Sequence, residues 1–102
     1  SDRQKAFWGN GMSNIVKMIT GIAVTPELWA SSMMPEGILE RWLLADGSPV
    51  EAGDPVATIR IEDALHKLTV PARGRLEVGL KANSLVEAGT VIGNVVRLIP
   101  LD

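Results

Sequence analysis

Residues 37–59, "GILERWLLADGSPVEAGDPVATI", return in altered form at residues 74–95, "GRLEVGLKANSLVEAGTVIGNV". Gly37, Leu39, Glu40, Leu43 and Ala45 align with Gly74, Leu76, Glu77, Leu80 and Ala82. After a one-residue gap, Val50-Glu51-Ala52-Gly53 aligns with Val86-Glu87-Ala88-Gly89, and Ile59 with Val95. Two copies are too few for a solenoid, whose repeats must stack on several neighbours to bury a core. A pair of copies instead implies a pseudo-two-fold domain in which each half supplies one apolar face and the faces close on each other.

The punctuation inside and around the copies is that of an all-β chain. Asp46-Gly47 and Gly53-Asp54-Pro55 are turn signals. Between turns the apolar residues alternate: Ala57, Ile59 and Ile61 share one face, and Thr58 and Arg60 the other. Gly37–Leu44 and Val56–Ile61 read as strands, and Ile22-Ala23-Val24 as a short strand ended by Pro26. Short strands at regular spacing indicate a sandwich or barrel rather than βαβ units. Gly47, Gly53, Gly74 and Gly89 fall where turns need positive φ, and no helix follows them to make a phosphate-binding loop.

Before Gly21 the pattern is weaker. Gly9-Asn10-Gly11 reads as a flexible break, and Ser13 as a cap for a two-turn helix over Asn14–Ile19. Residues 1–20 are therefore expected to be a flexible N-terminal segment, with Met12 a possible native start behind a vector-derived remnant, and residues 21–102 the domain.

Composition excludes several function classes. The 102 residues carry a net charge of −2 with no basic run, so nucleic acid and anionic membrane are not expected partners. There is no cysteine, which excludes disulfides, thiol catalysis and cysteine metal sites. A single histidine, His66, has no neighbouring nucleophile or second ligand in sequence, so neither a metal centre nor a catalytic set is expected. Its parity with Leu68 and Val70 makes it a partly buried strand residue. No apolar stretch is long enough to span a bilayer as a helix, and the cytoplasm is the expected location.

The two halves are joined by "ATIRIEDALHKLTVPARG", residues 57–74, a hairpin with the polar tip Glu62-Asp63-Ala64. This hairpin, "MPEGILERWLLADGSPVEAGDPVATI", "VPARG" and "LVEAGTVIGNV" together resemble the biotinyl/lipoyl carrier family over roughly Ile22 to Leu98. The resemblance implies a flattened barrel of two four-stranded antiparallel sheets, with a lipoyl or biotinyl group carried on a lysine at the hairpin tip. In that family the lysine lies eight residues before the proline of a Pro-Ala-x-Gly segment. Counted back from Pro71, the position is Asp63. The flanking Glu62 and Ala64 match the lipoyl branch, whereas the biotinyl branch has methionine on both sides.

The resemblance thus implies a lipoyl-type frame without an acceptor, because a carboxylate has no amine to acylate. Lys67, four residues past the tip and roughly 13 Å along the strand, is the weak alternative attachment site. The expected function is a non-enzymatic recognition or structural module without cofactor, serving a protein partner such as a 2-oxo acid or acetoin dehydrogenase-type complex. The alternative is a working swinging-arm carrier with lipoyl as its cofactor.

For partner contact the candidates are Trp29, Met33 and Met34, in the loop "PELWASSMMPEG" that the family places beside the hairpin, with Glu62, Asp63 and Leu65. This loop is about two residues longer than the usual lipoyl pattern. For Trp29 the favoured expectation is packing back over the end of the barrel. Glu62 and Asp63 are expected to be ordinary solvated charges, not a catalytic pair, because an exposed tip offers no cleft to shift a pKa.

Overall fold

The computed structural model describes residues 14–30 and 32–101. Eight strands run in the order β1 (Ile15–Ala23), β2 (Glu36–Trp42), β3 (Pro49–Val50), β4 (Pro55–Ile61), β5 (Ala64–Thr69), β6 (Gly74–Val78), β7 (Leu85–Glu87) and β8 (Val91–Pro100). One turn of 3-10 helix, Pro26–Trp29, lies between β1 and β2. The strands form two four-stranded antiparallel sheets, ordered β1-β8-β6-β3 and β5-β4-β2-β7. This is the all-β flattened barrel expected from the repeat and the resemblance.

The halves do not each make one sheet. β3, from the first copy, pairs with β6 of the second, and β7, from the second, pairs with β2 of the first. Each copy lends its short strand to the other sheet, so the expectation of one face per half gives way to an interlocked pair. The physical reason lies in the turns that lead into those strands. Gly47 and Asn83 both have positive φ, at 88° and 74°, and turn the chain across to the opposite sheet.

The bonds that lock the exchange are duplicated. Leu39 N–H donates to the Ser84 carbonyl at 2.9 Å and its carbonyl accepts from Asn83 N–H at 2.7 Å. Leu76 N–H donates to the Ser48 carbonyl at 2.8 Å and its carbonyl accepts from Gly47 N–H at 2.7 Å. Ser48 and Ser84 each close their own turn by donating from Oγ, to the carbonyls of Ala45 and Lys81. The matched bonds pair Ala45 with Lys81 and Ser48 with Ser84, and Leu43 with Leu80, so the one-residue gap of the repeat falls at Leu44, just before Ala45.

The core fills the space between the sheets with aliphatic side chains, among them Ile22, Leu39, Val56, Ile59, Leu76, Ile92 and Val95. Contributions from both copies alternate, so neither half can bury its apolar face alone. Trp42 marks the main asymmetry: it stands where the second copy has Gly79. It packs against the core, donates from its indole N–H to the Leu80 carbonyl at 2.9 Å, and covers Gly93. A Cβ on Gly93 would sit 3.1 Å from the Trp42 ring and 2.5 Å from the Glu77 carbonyl oxygen. A large residue on one copy is matched by a missing side chain on the other.

The N-terminal expectation is corrected. Ile15–Ile19 is not a helix but the first part of β1, whose nine residues pair in antiparallel register with β8 from Ile15–Pro100 onward. A two-turn helix has little stability of its own. The same residues include Ile15, Val16, Ile19 and Thr20, whose branched side chains suit a strand, and β8 offers them a complete ladder. Sheet pairing therefore starts six residues before Gly21. Ser13, Met12 and the rest of residues 1–13 lie outside the described residues, as do the readings placed on them.

Candidate functional site: the hairpin tip and the face beside it

β4 and β5 pair from Pro55–Thr69 to Ile61–Ala64, which leaves Glu62 and Asp63 as a two-residue turn. Glu62 has φ of 55°, the only positive φ of the pair, which is the pattern of a type II′ turn. Glycine is the usual residue at that position, and a side chain there costs about 1 kcal/mol. Part of that cost is offset by a contact outside the hairpin: Glu62 Oε2 accepts the Met33 backbone N–H at 3.2 Å. The tip is thereby tied to the β1–β2 loop across 29 residues of sequence.

The three residues at the hairpin tip, Glu62, Asp63 and Ala64, are all exposed. Lys67 is exposed on β5 opposite Thr58, well down the hairpin from the turn. His66 is half-buried opposite Ile59, facing inward as its parity with Leu68 required. It borders a cleft of about 150 Å³ with Leu28, Ile61 and Ala64. That volume is below the range of small-molecule pockets. Among the described residues no group of three or more histidine, aspartate or glutamate side chains is placed to hold a metal ion. A depression of about 800 Å³ lies on the other sheet, between Lys17, Glu51, Arg75 and Arg97. Its lining mixes both signs of charge, which suits solvent better than one ligand.

The loop residues separate into two groups. Trp29 is half-buried and packs against the core, over the barrel end, as favoured from the sequence. Its indole N–H has no hydrogen-bond partner among the described residues. Met33, at 94% exposure, and Met34 project into solvent.

Leu65 joins them through the sheet. One rung of β5-β4-β2-β7 reads Leu65, Arg60, Ile38, Leu85 across the four strands. Leu65 and Leu85 are more than 60% exposed, and Arg60 lies between the leucines, held by Glu40 at 2.8 Å from its Nε. Met34, Ile38, Arg60, Glu62 and Leu85 line a shallow depression at one end of this rung. The result is an apolar stripe from the hairpin's outer edge to β7, with the methionine loop alongside. Sequence reasoning named Met33, Met34 and Leu65 but missed Ile38, Arg60 and Leu85. Their outward parity was readable, but their alignment into one rung depends on long-range register.

Comparison with known families meets this geometry at the point that matters. The family model Biotin_lipoyl, described as "Biotin-requiring enzyme", matches residues 29–95, about two-thirds of the chain. The chain belongs to the biotinyl/lipoyl family. The match begins at Trp29 and ends at Val95, so it takes in both copies of the repeat and the whole β4–β5 hairpin. Comparison with curated proteins gives no match. Biotinyl/lipoyl domains are carrier modules, and this one has the two-sheet architecture with the β4–β5 turn displayed at its surface.

Proposed function

We propose that this biotinyl/lipoyl domain does not carry a prosthetic group and acts by recognition. The observation that supports the reading is the turn itself. Biotinyl and lipoyl groups are attached as amides to a primary amine, and the exposed turn presents only the carboxylates of Glu62 and Asp63. The side chains at the tip do not fit either group. Asp63 has no amine for either group to acylate, and the domain serves as a non-enzymatic binding module of the cytoplasm.

The recognition face is the stripe beside the tip: Met33, Met34 and Leu65 with Ile38 and Leu85. Methionine adapts its shape to a partner, and an apolar stripe of this kind, crossed by Arg60 in its ion pair with Glu40, suits a protein surface better than a small molecule. The partner class is a multienzyme complex of the 2-oxo acid or acetoin dehydrogenase type.

Intact mass after co-expression with lipoyl and biotin ligases and their cofactors tests the first part of the reading. The wild-type chain is expected at its bare mass, and Asp63→Lys at the mass of a lipoylated protein. An adduct on the wild-type chain, mapped to Lys67, would make the domain a working carrier and end the proposal. Leu65→Glu and Leu85→Glu, titrated calorimetrically against a dehydrogenase complex that binds the wild type, are expected to weaken binding while leaving the melting temperature unchanged.

A further inference from the structure

The outer edge of β1 is the longest strand edge among the described residues. Among the described residues, the terminal strands of the two sheets are β1, β3, β5 and β7, with nine, two, six and three residues. Natural sheets blunt their edges by shortness, proline, bulges or charge. β3 and β7 are short and β3 begins with Pro49, whereas Ile15–Ile22 is long, regular and carries one charge, Lys17. Past Val96, the last β8 residue that β6 reaches, the β1–β8 ribbon continues for four more rungs, to Ile15–Pro100.

The direction of the free backbone groups follows from two hydrogen bonds. Leu101 N–H donates to the Asn14 carbonyl at 2.7 Å, so Asn14–Leu101 is a hydrogen-bonded pair and every second pair after it, including Met18–Arg97 and Thr20–Val95, is one too. Gly79 N–H donates to the Ile92 carbonyl at 3.0 Å, which puts Asn94 and Val96 toward β6 and Val95 and Arg97 toward β1, in agreement. The amides and carbonyls of Ile15, Lys17, Ile19 and Gly21 therefore point outward from the edge. Ile15, Val16, Met18, Ile19 and Leu98 expose apolar surface on both faces of the same ribbon.

We propose that this edge pairs with the β1 edge of a second copy, antiparallel about a two-fold axis near Met18. In that register Lys17 lies opposite Ile19 of the other copy and Ile15 opposite Gly21, so no like charges face each other directly. About eight backbone hydrogen bonds form. The two sheets become one continuous sheet, and the β1 side chains of each copy gain lateral neighbours from the other.

Three observations favour a second copy over another partner. The edge is self-complementary in charge and register. β1 is the longest terminal strand among the described residues, nine residues against six for β5, so a two-fold pairing uses up the longest edge of each copy. The net charge of −2 gives little repulsion between copies. The paired edges and half-exposed side chains would bury on the order of 1,000 Å² in total, the lower end of a specific interface. The inference is independent of whether Asp63 is an attachment site.

Sedimentation equilibrium of the full chain over two decades of concentration tests it, alongside a pair of proline variants. Ile19→Pro removes an outward N–H and leaves the β8 ladder intact, so the variant is expected to fold and to dissociate about a hundredfold more readily. Met18→Pro removes an N–H that bonds Arg97 and is expected to lower the melting temperature instead. Hydrogen exchange on the wild type needs no variant: the amides of Lys17 and Ile19 should gain protection as concentration rises, while those of Met18 and Thr20 stay protected throughout. A wild type that remains monomeric, an Ile19→Pro chain that dimerises like the parent, or Lys17 and Ile19 protection independent of concentration would each overturn the proposal. The last of these would point to cover by residues of the same chain.

Discussion

Two β-ribbons occupy equivalent places in this domain and are put to different use. β4–β5 and β8–β1 are related by the pseudo-two-fold axis: Ile59 and Leu68 face inward from one as Val95 and Ile22 do from the other. Even their anchoring bonds correspond. Val70 N–H donates to Asp54, and Gly53 donates to Val70; Val24 donates to Thr90, and Gly89 donates to Val24. The β4–β5 ribbon is closed by a two-residue turn and stops there. The β8–β1 ribbon joins the two ends of the described chain, has no turn to close it, and runs on past β6. Equal cores thus support unequal ends: a strained, tethered tip on one, and an open apolar edge on the other.

The largest test of that equivalence is in the core. Ile22→Ala and Leu68→Ala are each expected to cost about 3 kcal/mol in urea unfolding, since both side chains are buried in the same cluster. A cost below about 1 kcal/mol for Ile22→Ala alone would show that the β8–β1 ribbon is peripheral to the fold and would break the comparison.

Next come the matched turns. Gly53 and Gly89 have φ of 92° and 91°, with open space where a Cβ would go. Alanine at either should therefore cost only the backbone strain, about 1–2 kcal/mol, and the two losses in melting experiments should agree closely.

The tip is expected to respond in the opposite sense. Glu62→Gly should stabilise the protein by about 0.5 kcal/mol, because release of the positive-φ strain outweighs one exposed hydrogen bond. Amide exchange at Met33 should rise at the same time. Destabilisation instead would mean that the Met33–Glu62 bond carries more of the tip's order than the strain costs.

The smallest effect belongs to the Arg60–Glu40 ion pair on the outer face. Both partners are more than a third exposed, so Glu40→Gln should change unfolding by less than about 0.5 kcal/mol, and less still at high salt.

Much of this was readable from local sequence. Alternation at Ala57, Ile59 and Ile61, turn glycines at 47, 53 and 89, and the Val-Glu-Ala-Gly repeat each depend on neighbours a few residues apart, where strand parity and φ preferences act directly. The polar tip Glu62-Asp63 was equally plain between its two strand runs, and the resemblance to the biotinyl/lipoyl family, counted back from Pro71, pointed to Asp63. Ile15–Ile19 was misread because its apolar spacing satisfies a short helix as well as a strand, and only the presence of β8 decides between them.

By itself, then, the sequence determined that the domain is all-β, that it is built twice over, and that carboxylates occupy the exposed turn between the copies. These are properties of single residues and short spacings. Tertiary structure alone decided that the copies exchange their short strands, that Leu65, Arg60, Ile38 and Leu85 form one rung, and that Lys17 and Ile19 turn their amides outward from an edge that no other described strand pairs with. Each of these depends on register between strands far apart in the chain. A shift of one residue would reverse every face, and nothing local records which register wins.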